Sequence, residues 1–274
     1  MKKEFMMVLL LLFIGITAAY GQTITTTITG SGDFPGGTKV NVSPTAGSAI
    51  GVESTNSNTT INFLGSSVIT VTQTGGSTGN SSYCVDNSGG SINFAGFANM
   101  TLEATESSLE SCYGLYNRRG GQISFDSGLD LKVTNAGDGS SIGIYLGGRY
   151  SGRECYITVA GAADITVENI KNSIMVMGIF FGGISSISFD SDLNLKVTNA
   201  GTTAAITAGL HVGGSPLTVA GAANITIDVT NEENDGNVYG VYIYSGGEVS
   251  FGASSSVTIY SSGTGAVYGV YIAN

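Results

Sequence analysis

One unit of about thirty residues recurs along this chain. Ile61-Asn62-Phe63 returns as Ile92-Asn93-Phe94, Ile123-Ser124-Phe125, Ile157-Thr158-Val159, Ile187-Ser188-Phe189, Leu217-Thr218-Val219 and Val249-Ser250-Phe251. Eight residues after the start of each comes a second segment: Ile69-Thr70-Val71, Met100-Thr101-Leu102, Leu131-Lys132-Val133, Ile165-Thr166-Val167, Leu195-Lys196-Val197, Ile225-Thr226-Ile227 and Val257-Thr258-Ile259. A third is built around glycine: Tyr113-Gly114-Leu115-Tyr116, Ile142-Gly143-Ile144-Tyr145, Met177-Gly178-Ile179-Phe180, Ala208-Gly209-Leu210-His211, Tyr239-Gly240-Val241-Tyr242 and Tyr268-Gly269-Val270-Tyr271. Tyr83-Cys84-Val85 holds the same place with Cys instead of Gly. Constant spacing within the unit means one supersecondary module stacked many times.

Each segment alternates apolar and polar residues, which is the period of a strand with one buried face. Gly-Gly pairs such as Gly89-Gly90, Gly120-Gly121 and Gly246-Gly247 follow the third segment, and glycine supplies the backbone angles that sharp corners need. Helical periodicity and Asn-Gly hairpin signals are both missing. The pattern predicts an all-β chain: a right-handed parallel β-helix, a three-sided solenoid of about seven to eight turns. At one strand spacing per turn the rod is roughly 30–35 Å long. Ile92 and Phe94 and their equivalents point inward. Asn93, Ser124, Thr158, Ser188, Thr218 and Ser250 point outward, as do Thr70, Thr101, Lys132, Thr166, Lys196, Thr226 and Thr258 on the next wall.

Residues 1–21 read as a signal peptide: Lys2 and Lys3, an apolar run too short to cross a bilayer, then Ala18, Ala19 and Gly21. Residues 22–48, with Pro35 and Pro44, read as an irregular opening turn or cap. Residues 49–274 read as the β-helix, stopping part-way through a turn. The open edge there invites end-to-end stacking. Export places the chain at a cell surface, in the periplasm or outside the cell, and no integral membrane segment follows the leader. Without residues 1–21 the chain has 8 basic and 19 acidic residues, a formal charge of −11. Such a chain is a poor partner for nucleic acid, which needs clustered Lys and Arg.

No catalytic, cofactor or metal site emerges. Asp126 and Asp190 would stand roughly 9–10 Å apart, two strand spacings, near the upper limit for an inverting glycosidase pair. Ala160 lies between them and no base accompanies them, so they read as turn residues. Glu232, Glu233 and Asp235 lack the repeated pattern of calcium-stacked coils. Arg118, Arg119, Arg149 and Arg153 form a local basic loop cluster. Cys84 and Cys112 sit in successive copies two residues out of register, roughly 8 Å between α-carbons. Three unbridged thiols, Cys155 included, are expected, with a Cys84–Cys112 bridge the less favoured alternative. The candidate binding residues are an outward aromatic ladder beside the glycine: Tyr116, Tyr145, Phe180, His211, Tyr242 and Tyr271. It serves as a platform for a ligand or simply stabilises itself by cross-strand stacking.

The recurring Tyr-Gly-Val-Tyr, Gly-Gly-x-Val-Ser-Phe and Val-Thr-Ile segments resemble the β-helical passenger repeats of bacterial autotransporter adhesins, over about residues 50–274. The C-terminal membrane barrel of that family has no counterpart here. The resemblance implies a non-enzymatic, bacterial, surface-displayed rod that attaches to glycans or to host or neighbouring surface proteins. Two other readings compete. A pectinase-like coil that binds or cleaves polysaccharide needs several acids and a base on one wall. An ice-binding solenoid needs an unbroken Thr ladder, which Lys132 and Lys196 interrupt.

Overall fold

A computed structural model of the chain describes residues 21–44, 47–74, 80–105, 111–147, 153–183, 185–202 and 205–273. The leader residues 1–20 and Arg149 lie outside them. Among the described residues there are 26 strands and no helix. The strands form three sheets of eight, nine and nine, corresponding to the first, second and third segments of the repeat. Every pairing is parallel and joins a segment to its equivalent one unit away, such as Phe94 with Phe125, Leu102 with Val133 and Tyr116 with Tyr145. The chain is therefore a parallel β-helix with three walls.

Alternation fixes which side of each wall is inside. Ile92, Phe94, Ile123 and Phe125 on the first wall, and Met100, Leu102, Leu131 and Val133 on the second, are all buried in one continuous core. Identical positions stack directly over one another, so Phe34, Phe63, Phe94 and Phe125 form a column of rings with centroids 5.3, 4.7 and 4.8 Å apart. Offset-stacked rings add roughly 0.5–1.5 kcal/mol per pair to the burial itself. Outside the same wall the polar residues bond along the axis. Asn62 Nδ2 donates to Asp33 Oδ1 (2.7 Å), Asn93 Nδ2 to Asn62 Oδ1 (2.7 Å) and Ser124 Oγ to Asn93 Oδ1 (2.9 Å).

The opening residues belong to this stack more fully than a cap would. Thr38–Val42 pairs in register with Ser67–Gln73 on the second wall, Gly32–Phe34 pairs with Thr60–Phe63 on the first, and Ile28–Thr29 with Ile50–Ser54 on the third. Val40 and Ile28 are buried in the common core. The strands here are only two to five residues long, too short for their alternation to stand out in the sequence.

The corners use two devices. Gly-Gly corners after the third segment place a glycine in the left-handed region at Gly89, Gly120, Gly214 and Gly246. Buried asparagines then satisfy backbone that water cannot reach. Asn87 Nδ2 donates to Gly90 O (2.9 Å) and Gln122 O (3.0 Å), while Gly90 N donates to Asn87 Oδ1 (3.0 Å). Asn117 repeats the pattern with Gly121 O and Tyr156 O, both at 3.0 Å. Asn135, Asn169 and Asn199 form a second buried column, with Asn169 Nδ2 donating to Asn199 Oδ1 (3.0 Å). All three cysteines are buried and unbridged, and burial pushes the Cys84 and Cys112 thiols upward.

Candidate functional site

The third wall departs from simple alternation at its glycine column. A Cβ on Gly114 would lie 2.6 Å from Gly143 O and 2.7 Å from a Leu131 methyl. One on Gly143 would lie 2.6 Å from Gly178 O, and one on Gly178 2.7 Å from Gly209 O. The backbone passes too close to the next coil and to the second wall to carry a side chain. The glycine and the residue after it therefore both take inward positions, and the residues that flank this pair face outward. Cys112 and Leu115 are in the core, while Tyr113 and Tyr116, either side of Gly114, both face out and touch at 4.8 Å.

Two columns result. The one after the glycine holds every residue expected of the aromatic ladder. Tyr116–Tyr145, Tyr145–Phe180, Phe180–His211, His211–Tyr242 and Tyr242–Tyr271 stack with centroids 4.7, 5.1, 4.9, 4.6 and 5.4 Å apart and ring planes within 28° of parallel. The column before the glycine is in register with it and was hidden by strict period-two reasoning: Tyr83, Tyr113, Ile142, Met177, Ala208, Tyr239 and Tyr268. Ile142, Met177, Ala208 and Tyr239 are buried in a cluster separate from the main core, packed by Tyr113, Tyr145, Met175, Phe180, Ile206, Tyr242 and Tyr268. A second apolar layer thus coats the outside of one wall. The other two walls present mainly Asn, Ser and Thr.

The lower end of the ladder is charged. Asp86 occupies the column position below Tyr116. Its side chain is 6% exposed and meets Arg118 Nη2 at 3.3 Å. Arg118 Nε also donates to Ser88 Oγ (2.7 Å), and the guanidinium sits 5.0 Å from the centre of the Tyr116 ring. Burial raises the Asp86 carboxyl above its ordinary range, with Arg118 opposing. Burial likewise pushes the Tyr83 phenol up to about 12. Arg118 covers the face of Tyr116 that Tyr145 leaves free. From Arg118 to Tyr242 each ring of the ladder therefore has both faces against a neighbour; Tyr116, Tyr145, Phe180 and Tyr242 are half-buried and His211 is buried.

The remaining candidates stay dispersed. Asp126 and Asp190 are exposed beside the first wall, with the exposed Ala160 between them in the stack. Arg119 is exposed and takes φ 57° at its corner, and Arg153 packs over Gly120. Asn231 and Asn234 order the 231–236 loop, their Oδ1 atoms accepting from Glu233 N (2.9 Å) and Gly236 N (3.0 Å). Among the described residues no three His, Cys, Asp or Glu side chains cluster as a metal site would require. Lys132 Nζ meets Glu168 at 3.1 Å on the second wall, placing a solvated ion pair in the Thr ladder. Among the described residues no helix is long and apolar enough to cross a membrane.

Fold and surface together define a parallel β-helix with one aromatic outer wall. No family model matches the chain, and neither a curated protein nor a solved structure shows significant similarity to it.

Proposed function

We propose that this chain is a non-enzymatic exported scaffold of adhesin type, and that the third wall is the face that meets its partner. The observation that carries this reading is the outer apolar layer. Contiguous apolar surface on one side of a polar rod is the usual mark of an interaction site. Tyrosine-rich patches supply large, rigid contact area with hydroxyls for orientation. Export rests on the leader at residues 1–21. Glycans and surface proteins of a host or neighbouring cell are the two partner classes, and the stacking favours protein. A sugar ring stacks on a free aromatic face, and between Arg118 and Tyr242 those faces are taken.

The test is binding of the secreted chain to cell surfaces and to a glycan array, compared with a Tyr145→Ala, Tyr242→Ala double variant whose β-sheet circular dichroism is unchanged. Loss of two interface tyrosines should weaken protein binding by about 30-fold or more. Unchanged binding removes the wall from the account. Release of reducing sugar from a polysaccharide removes the non-enzymatic reading.

A further inference from the structure

His211 is the chain's one histidine, and it occupies an adverse place for an ionisable group. Its imidazole lies between Phe180 (4.9 Å) and Tyr242 (4.6 Å), with the tilted ring of Tyr244 at 4.8 Å. The residue is 8% exposed. Nδ1 is buried without a hydrogen-bond partner, apart from a contact of the imidazole with its own backbone. The strand before it, Met175–Phe181, presents Phe180. The strand after it, Asn237–Tyr244, presents Tyr242 and Tyr244. None of these rings carries charge in acid, and among the described residues no carboxylate opposes the imidazole. Burial holds the imidazole down to about 4, well below its ordinary value of 6.5.

Tyr244 differs from the other two rings in how it is held. It projects over Gly213, where a Cβ would run into the ring. Its Oη donates to Phe181 O, two coils back, at 2.9 Å. Phe180 and Tyr242 are each locked in the ladder by a further ring, Tyr145 and Tyr271 respectively. Stacked rings can solvate the faces of an imidazolium, but its two N–H groups lie in the ring plane and need acceptors or water. The route to water that disturbs least is displacement of Tyr244.

We propose that His211 and Tyr244 form an acid-operated latch on the third wall. Uptake of a proton by the imidazole releases the Tyr244 phenol from Phe181 O and opens the wall beside Phe180 and Tyr242. The closed state holds the imidazole neutral, and the open state lets it titrate as a free histidine. The latch is fully held above pH 6.5. It weakens as pH falls: the open-to-closed ratio has risen about 160-fold at pH 4 and approaches about 300-fold below it.

Full-length protein is titrated from pH 7 to 3.5, following the histidine ring by NMR and the tyrosines by near-ultraviolet circular dichroism. The chain has 13 Tyr and no Trp, so the near-ultraviolet signal comes largely from tyrosine, and the single His gives one ring resonance. Wild type should show one step in both signals, well below 6.5. Tyr244→Phe keeps the ring and removes the strap, raising the open fraction about five- to tenfold and the midpoint by as much as about one pH unit. His211→Phe should abolish the step. Titration near 6.5 without a tyrosine change overturns the latch, as does an unmoved midpoint in Tyr244→Phe or an unchanged step in His211→Phe. Should His211→Phe not fold, wild type and Tyr244→Phe decide the matter alone. The latch is tested without any ligand, so its failure leaves the binding role of the wall in place.

Discussion

The glycine column of the third wall allows a test in which one substitution should have opposite effects at two equivalent positions. Gly→Ala normally stabilises by about 0.4–1 kcal/mol where the backbone suits Ala, because the unfolded chain loses freedom. Neither Gly143 nor Gly269 has a positive φ, so both receive that benefit. At Gly143 the new methyl would sit 2.6 Å from Gly178 O and 3.0 Å from Ile165 and Val167 methyls, and the carbonyl is part of a sheet that cannot yield. At Gly269, in the outermost described strand of the same wall, nothing lies within 4 Å. The unfolded-state term cancels between the two variants, leaving the cost of overpacking, about 1–3 kcal/mol. Gly143→Ala should therefore lower the urea midpoint and Gly269→Ala should leave it unchanged or raise it, measured by far-ultraviolet circular dichroism. Equal effects would refute the claim that close approach of successive coils selects glycine here. Cys84 stands in this column between Gly51 and Gly114, so a coil can be built around a Cβ. The prediction concerns coils that were not.

Two further outcomes follow from the packing. Phe94→Ala removes the ring between Phe63 and Phe125 in a fully buried column and should cost about 3–5 kcal/mol in chemical denaturation, with Phe94→Leu costing less. Arg118→Met leaves the buried Asp86 carboxylate without its counter-charge, a loss of about 1–3 kcal/mol at pH 7. The folded state already favours a proton on Asp86 relative to the unfolded chain, and removing Arg118 strengthens that preference. The Arg118→Met penalty should therefore shrink as pH falls toward 4 and the carboxyl takes its proton. Denaturation of wild type and variant at both pH values checks the sign.

The repeat made the coil legible because each strand is long enough to show period two and each coil reuses the same positions. Register between coils followed directly: Asn93 stands over Asn62, and Tyr145 over Tyr116. The outward ladder was readable for the same reason. Its companion, Tyr83 to Tyr268, was not. Period two places the residue before the glycine correctly only if the glycine is counted as an inward position and Leu115 as inward again, a slip that packing against Leu131 enforces and alternation cannot reveal. The buried asparagines were not legible either. Asn87, Asn117, Asn135, Asn169 and Asn199 lie in the last two positions of strands in a chain rich in Asn, and only the fold separates corner residues from solvated ones. The sole sequence signal was their recurrence at matching strand ends, as in Val133-Thr134-Asn135 and Val197-Thr198-Asn199. Arg118 reads as one of a loop cluster until the fold sets it over Tyr116 and beside Asp86.

Parallel winding underlies each of these statements, and spin-label distances along one outward column test it most directly. Labels at Asn62 and Ser188 are four coils apart on the first wall, and labels at Asn62 and Ser250 are six. The three native cysteines are buried, so introduced ones label selectively. Winding in one direction predicts backbone separations of about 19 and 29 Å, growing linearly with coil number. Distances that fail to grow with coil number, or shorten for the more distant pair, would contradict it.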